Sequence, residues 1–218
     1  MSSEAARSMD RMYGWQSRIY DLTRKPYLLG RDHLITDLRP PPGGTILEIG
    51  CGTARNLAYA ARLYPDSVLF GIDVSSVMID TASRTTARAG LQSRISLRQC
   101  DAEGLRSEQP FSRSHFDRVF ISYALSMIHS WREVLASSLM LVSPGGSLHV
   151  VDFGRGEDLP APFMRALNTW LGMFSVTPRG DLEQELFWLA ALESGSRTSC
   201  ARLRRGYAIY GKVERPQD

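Results

Sequence analysis

The chain concentrates its chemistry in residues 45–56, Thr-Ile-Leu-Glu-Ile-Gly-Cys-Gly-Thr-Ala-Arg-Asn. An apolar run ending in an acid passes into a glycine-rich turn that opens a helix. Gly50 and Gly52 lack a Cβ, so the chain can bend sharply there. A ligand can then lie against bare backbone, where the first helical N–H groups have no intrahelical partner. This is how a nucleotide cradle is made. Its pyrophosphate-binding form, G-x-G-x-x-G, uses a third glycine for close helix–strand packing, and Arg55 occupies that position here. Asp73 ends the next apolar run, 21 residues after Gly52; a carboxylate, an acceptor-only bidentate group, suits a ribose diol. Val74 and Met78 offer apolar surface to an adenine ring, with helix core as the alternative for Met78. Asp101, in Gln99-Cys100-Asp101-Ala102, is placed either to accept from an exocyclic adenine amine or to cap the turn that follows.

The elements that must position these groups alternate. Strands are expected at 45–50, 67–73, 94–100, 116–122 and 146–152, with helices at 54–63, 76–88 and 131–141. This βα rhythm implies a parallel sheet covered on both faces, with ligands at the carboxyl ends of the strands. Residues 3–38 read as two helices broken near Lys25-Pro26, and Pro40-Pro41-Pro42-Gly43-Gly44 joins this leader to the first strand. Residues 157–193 carry helical spacing (Phe163, Leu167, Trp170, Leu171, Phe174, Leu186, Phe187, Leu189) and are expected to form an inserted lid. Residues 197–203 and 207–213 read as a closing antiparallel hairpin around Arg205-Gly206. The expected division is a helical leader at 1–39 and one α/β domain at 40–218.

Composition bounds the class. At 218 residues, 43% hydrophobic and 22% charged, the chain suits one globular domain. Of its 26 cations, 24 are arginine and two are lysine, Lys25 and Lys212. Three cysteines without C-x-x-C spacing argue against a disulfide framework or a zinc site; no metal is expected. No window approaches ~20 consecutive apolar residues, so a cytoplasmic chain is expected.

Glu48-x-Gly50-x-Gly52-x-Ala54, followed by Asp73 and Asp101 at successive strand ends, resembles the cofactor motifs of class I S-adenosylmethionine (SAM) methyltransferases. Ala54 departs from that pattern, standing where many such sequences have glycine. The resemblance implies a Rossmann-like fold, a seven-stranded and mostly parallel sheet closed by an antiparallel hairpin. It also implies SAM as cofactor. The cofactor set so expected is Tyr20, Arg31, Glu48, Gly50, Gly52, Asn56, Asp73, Val74, Met78, Asp101, Ala102 and Ser122.

The acceptor is read from other segments. After the fourth strand the chain has Ile121-Ser122-Tyr123-Ala124-Leu125-Ser126-Met127, not the Asp/Asn-Pro-Pro-Tyr/Phe of enzymes that methylate base amino groups, so no nucleic-acid partner is expected. In the leader, Arg7, Arg11 and Arg18 gather on one helical face, with Met9, Met12, Tyr13, Ile19 and Tyr20 opposite. Such a helix suits a membrane interface or a lid over its own site. Met12-Tyr13, the run Arg18-Ile-Tyr-Asp-Leu-Thr-Arg-Lys-Pro-Tyr-Leu-Leu-Gly-Arg-Asp32, Ser122–Ile128, Val151-Asp-Phe-Gly154 and Thr177-Pro-Arg179 resemble the bacterial betaine-lipid methyltransferases. That resemblance implies three successive methylations of diacylglyceryl-homoserine at the inner face of the membrane. The enzyme that makes the homoserine lipid is then an expected partner. Phosphatidylethanolamine or a small amine as acceptor, and a non-catalytic SAM-binding module, remain open at this point.

Methyl transfer to a neutral amine relies on alignment and exclusion of water more than on a strong base. Tyr123 and His129 are the expected catalytic residues, able to orient the nitrogen or take its proton; a surface or helix-capping role is the alternative for His129. Tyr13, Tyr20, Tyr27 and Tyr123 are candidates to face the quaternary product. Tyr13, Tyr27 and Arg179 form the expected substrate set, with Arg179 assigned to the acceptor carboxylate and Arg31 to that of SAM.

Overall fold

The computed structural model describes residues 28–105 and 110–217. Its elements in chain order are α1 (Arg31–Asp37), β1 (Thr45–Ile49), α2 (Arg55–Leu63), β2 (Val68–Asp73), α3 (Ser76–Arg88), β3 (Ile95–Gln99), β4 (Phe116–Ser122), α4 (Trp131–Met140), β5 (Val142–Phe153), α5 (Ala161–Gly172), α6 (Leu182–Ala191), β6 (Arg197–Leu203) and β7 (Ala208–Glu214). The seven strands form one sheet in the order β3-β2-β1-β4-β5-β7-β6. All neighbours from β3 to β5 pair in parallel, and β7 runs antiparallel to both β5 and β6.

β1 is the hinge of this arrangement. All five of its residues are buried, as expected for a strand covered on both faces, and the strand order reverses direction between β1 and β4. A crevice opens at such a switch point, outside the carboxyl ends of the strands. The period of two sends Leu47 and Ile49 to one face, where they meet Trp131, Val134 and Leu135 of α4 and Leu182, Leu186 and Leu189 of α6. It sends Ile46 to the other, against Leu34 and Ile35 of α1, Leu57 and Ala60 of α2 and Ala82 of α3. Glu48 therefore shares the α1–α2 face. Each of the fully buried leucine and isoleucine side chains among them contributes on the order of 2 kcal/mol through burial.

α1 is tied to the sheet by polar groups as well. Tyr210 donates its hydroxyl to Asp37 at 2.6 Å and lies 2.8 Å from His149 Nδ1, while Ser147 Oγ lies 2.8 Å from His149 Nε2. Burial pushes His149 down to about 3, so it bridges as a neutral ring. Arg118 clamps the end of the helix by donating to the carbonyls of Leu38 and Arg39. These links hold Gly30 and Arg31 over the carboxyl edge.

Several boundaries differ from the sequence expectation. The fifth strand starts at Val142 and reaches Phe153, absorbing Pro144-Gly145-Gly146 through a register shift opposite Phe116 and Arg118. The turn of the hairpin is wider than Arg205-Gly206, with Arg204, Arg205 and Gly206 all at positive φ. The segment expected to be a lid divides in two. α6 covers the sheet, its Leu182 and Leu186 fully buried, and is core. α5 is largely exposed and lays only Leu171, Leu167 and Trp170 on the core. Of the leader, α1 lies within the described residues; the break at Lys25-Pro26 and the basic amphipathic stretch lie outside them. Among the described residues no helix is long and apolar enough to cross a membrane, and no cluster of His, Cys, Asp and Glu could hold a metal.

Candidate active site

The turn after β1 is built as the sequence suggests. Gly50 and Gly52 sit at φ 73° and 51°, in the left-handed region. A Cβ on Gly50 would stand 2.6 Å from Ala124 Cβ, whereas one on Gly52 would meet no atom within 4 Å and would project into open space. Ala54 shares the left-handed conformation at φ 60°, where glycine costs less and alanine pays about 1–2 kcal/mol. Gly52 N–H donates to Asp73 Oδ2 at 2.8 Å, and Ser75 N–H to Oδ1 at 3.0 Å. One carboxylate thus fixes the glycine turn and the start of α3 together.

The crevice is walled by Gly50, Gly52, Asp73, Val74, Met78, Asp101, Ala102, Ser122 and Tyr123, nine residues that the sequence reading had named. Ile72, Cys100, Ala124, Met127 and Ile128 complete it; these lie between the motif residues and give no chemical signal of their own. Met78 is wall and core at once, being 2% exposed. Asp101 caps the next turn by accepting from Glu103 N–H at 3.0 Å while lining the crevice, so its two readings are compatible. Among the described residues Ser122 Oγ is buried without a hydrogen-bond partner. A cavity of about 450 Å³ walled by Phe111, Phe116 and Met140 shares none of these strand-end residues.

Glu48 and Asn56 stand behind the crevice, bonded to each other at 2.8 Å. Burial pushes the Glu48 carboxyl up to about 8, against the pull of the Asn56 hydrogen bond and of Arg31, and among the described residues Oε2 has no partner. In the fold this group keeps its proton between pH 4.5, its ordinary value, and about 8. Unfolding releases that proton, so stability is complete below pH 4.5, falls as pH rises to about 8 and is flat above it. The loss is on the order of a few kcal/mol. Glu48→Gln is expected to flatten this decline in a profile of Tm against pH; a profile parallel to that of the parent would contradict it.

The remaining expected residues are placed differently. Tyr123 follows β4 at φ 55°, and its hydroxyl donates to Leu29 O at 2.5 Å. Burial raises its pKa well above the ordinary value, so the phenol keeps its proton and is not a base. His129 lies exposed in the turn before α4 and does not line the crevice. Arg31 also lies outside the crevice, beside Arg55 and Arg204. Tyr13, Tyr20 and Tyr27 fall outside the described residues.

Arg179 has another task than an acceptor carboxylate. It donates from Nε to Leu125 O at 3.0 Å and from Nη2 to Ile128 O at 2.6 Å, with its guanidinium 5.6 Å from the Trp131 ring centre. Asp152, which the sequence reading did not single out, braces the same segment: the fully buried carboxylate accepts from Ser126 N–H at 3.1 Å and Phe153 N–H at 2.8 Å. Burial raises it to about 6. The signal that could have found it is an acid inside the apolar run Val150-Val151-Asp152-Phe153. Because Ile128 lines the crevice, Arg179→Ala is expected to cost on the order of 2 kcal/mol of stability and to weaken cofactor binding with it. A raised acceptor KM with stability and cofactor affinity intact would contradict this assignment.

Residues 46–146 match the methyltransferase domain family. The chain is 27% identical over 143 residues to an O-methyltransferase of Pyrenophora dematioidea, covering 66% of this chain and 51% of that one. It is 27% identical over 149 residues to the ubiquinone/menaquinone biosynthesis C-methyltransferase UbiE of Desulfotalea psychrophila, covering 66% and 57%. The chain thus spans about half the length of these curated relatives. In fold it resembles an O-methyltransferase family protein from Burkholderia thailandensis (TM-score 0.71, 18% identity, 94% of this chain and 62% of that one). It also resembles the plantazolicin methyltransferase BamL (TM-score 0.69, 14% identity, 99% and 98%). The fold and strand order are those of the Rossmann-like methyltransferase fold, and the segment that matches the methyltransferase domain carries β1 to β4, whose ends form the crevice. The chain's cofactor is S-adenosylmethionine, and the residues fit it. Gly52 leaves open space for a ligand against the backbone, Asp73 and Asp101 present carboxylates at successive strand ends, and Val74 and Met78 give apolar walls.

Proposed function

We propose that the protein is an N-methyltransferase that converts diacylglyceryl-homoserine to its N,N,N-trimethyl form in three successive transfers. When bound, the cofactor supplies an electrophilic methyl group on a sulfonium. The chain's residues do the rest by placement. Asp73 and Asp101 hold the nucleoside, and the segment 122–128, braced by Asp152 and Arg179, forms the wall across the crevice from them.

The observation that carries the amine reading is a cluster of aromatic side chains beside the crevice, in which Tyr123 of the crevice wall packs with Phe153, Trp170 and Phe174 around a gap of only about 10 Å³. Tyr123 and Phe153 meet edge to face at 4.7 Å, and Trp170 and Phe174 at 5.2 Å. Aromatic faces stabilise a quaternary nitrogen by ~0.5–2 kcal/mol each, and a neutral amine needs no strong base. The two residues expected to act as one are a phenol held protonated and a histidine on the surface. Resemblance in the leader, in Ser122–Ile128 and in Val151–Gly154 supports a betaine-lipid acceptor. Phe163 and Met173, exposed on or beside α5, are apolar side chains that suit contact with a lipid surface. Work at the inner face of the membrane, beside the enzyme that makes the homoserine lipid, is part of the proposal.

A second reading is C- or O-methylation of an apolar ring, favoured by the names of the relatives. Expression in a host supplied with the homoserine-lipid synthase, followed by lipid mass spectrometry, separates the readings. Trimethylated homoserine lipid is expected. Its absence, with methyl groups appearing on a quinone, a phenol or phosphatidylethanolamine, would overturn the proposal.

A further inference from the structure

One peptide bond in the crevice wall is held at its two polar ends by opposite charges. It joins Leu125 to Ser126 in the 3₁₀ turn Leu125–Met127. Arg179 donates from Nε to the Leu125 carbonyl at 3.0 Å, and Asp152 Oδ2 accepts the Ser126 N–H at 3.1 Å. The rest of the turn is tied as well: Arg179 Nη2 donates to Ile128 O at 2.6 Å, Thr177 N–H to Ser126 O at 2.8 Å and Met127 N–H to Ala124 O at 3.0 Å. Among the described residues Asp152 and Arg179 make no direct ion pair. The peptide stands between them, N–H toward the anion and C=O toward the cation, so each charge strengthens the bond it makes.

The clamped peptide lies within the lining of the crevice. Tyr123 and Ala124 precede it, Met127 and Ile128 follow it, and all four line the crevice. Asp152 is fully buried behind them, and its Oδ1 accepts Phe153 N–H at 2.8 Å. Both oxygens therefore act as acceptors. Protonation turns one of them into a donor and removes the charge that strengthens both bonds. Burial raises this carboxyl to about 6, against the pull of its two backbone hydrogen bonds and of Arg179, so it is ionised at neutral pH and loses its charge on mild acidification. Tyr123, at the end of β4, feels the Asp152 charge, with Tyr207 and Arg31 acting on that phenol in turn. Asp181 and Arg132 act on Arg179.

We propose that Asp152 is a positioning residue of the methyltransferase site, its negative charge acting through the Leu125–Ser126 peptide and Arg179 to hold residues 123–128 in the form that receives the cofactor. The device acts on the cofactor, whatever the methyl acceptor is. Cofactor binding then favours the ionised acid. Affinity is full above about pH 6 and is lost as pH falls through it, and binding near that pH releases a proton.

The test is isothermal titration calorimetry of S-adenosylhomocysteine into the full chain. In the parent, affinity is expected to fall about tenfold between about pH 7.5 and about pH 5. Part of a proton should be released near the midpoint, read from the dependence of binding heat on the buffer's ionisation enthalpy. Asp152→Asn keeps one acceptor oxygen and carries no charge. It should bind throughout this range about as weakly as the parent does at its acid end, without the proton release. The ligand is the same in both proteins, so its own titration cancels, and Glu48 keeps its proton up to about 8. In Arg179→Gln the fall should move to higher pH, because the Arg179 charge holds the Asp152 carboxyl down. A parent affinity that is flat over this range overturns the proposal, as does an equal fall in Asp152→Asn. If Asp152→Asn does not fold, Arg179→Gln decides: a fall moved upward upholds the proposal, and an unmoved one overturns it.

Discussion

Asp73→Ala is expected to weaken S-adenosylmethionine binding on the order of hundredfold or more, measured by isothermal titration calorimetry. The carboxylate accepts Gly52 N–H at 2.8 Å and Ser75 N–H at 3.0 Å, so its removal acts twice. The ligand loses an acceptor for its ribose hydroxyls, and the turn loses the bond that aims the Gly52 backbone at the crevice. Hydrogen bonds to a charged group are each worth about 1.5–3 kcal/mol, and two of them multiply to the stated factor. Asp73→Asn keeps the size and one acceptor oxygen, and an intermediate loss is expected from it. Unchanged affinity in Asp73→Ala would remove this residue from the cofactor site.

Gly50→Ala and Gly52→Ala are expected to fail in opposite ways. At Gly50 the left-handed φ of 73° costs about 1–2 kcal/mol for any residue with a Cβ. The new methyl would also stand 2.6 Å from Ala124 Cβ, an overpacking worth about 1–3 kcal/mol. A fall in stability on the order of 3 kcal/mol is therefore expected in urea titration, with Ala124 pushed into the crevice. At Gly52 no atom lies within 4 Å of the added methyl, so only the conformational cost applies. The methyl then occupies the ligand's space, and cofactor affinity should suffer more than stability. If both variants lost stability equally, the open side of Gly52 would not face the ligand.

The local devices were legible in the sequence. The acid–glycine turn, the acid 21 residues further on and the βα rhythm depend on φ, on period and on strand ends, all of which neighbouring residues determine. The parts that escaped depend on distant partners. The Tyr123 hydroxyl finds Leu29, 94 positions away, and Arg179 reaches carbonyls 54 and 51 positions earlier. No pattern in either segment announces such a bond. The chain from Asp37 to Tyr210 spans 173 positions and ties α1 down through groups that looked like ordinary helix and strand residues. α6 carries the same helical spacing as α5, and only the sheet face it meets separates a core helix from an exposed one. Nothing in the run Val150-Val151-Asp152-Phe153 shows that the Asp152 carboxylate meets Ser126 N–H, 26 positions earlier.

The central claim is that the crevice above β1, β2 and β3 holds a sulfonium nucleoside. A crystal structure of the protein grown with S-adenosylhomocysteine tests it most directly. The account predicts density across the carboxyl ends of those strands, with the ribose hydroxyls on Asp73, the adenine between Val74 and Met78 near Asp101, and the sulfur turned toward Tyr123. Ligand density confined to another cavity, or a crevice that accepts a nicotinamide dinucleotide in its place, would contradict it.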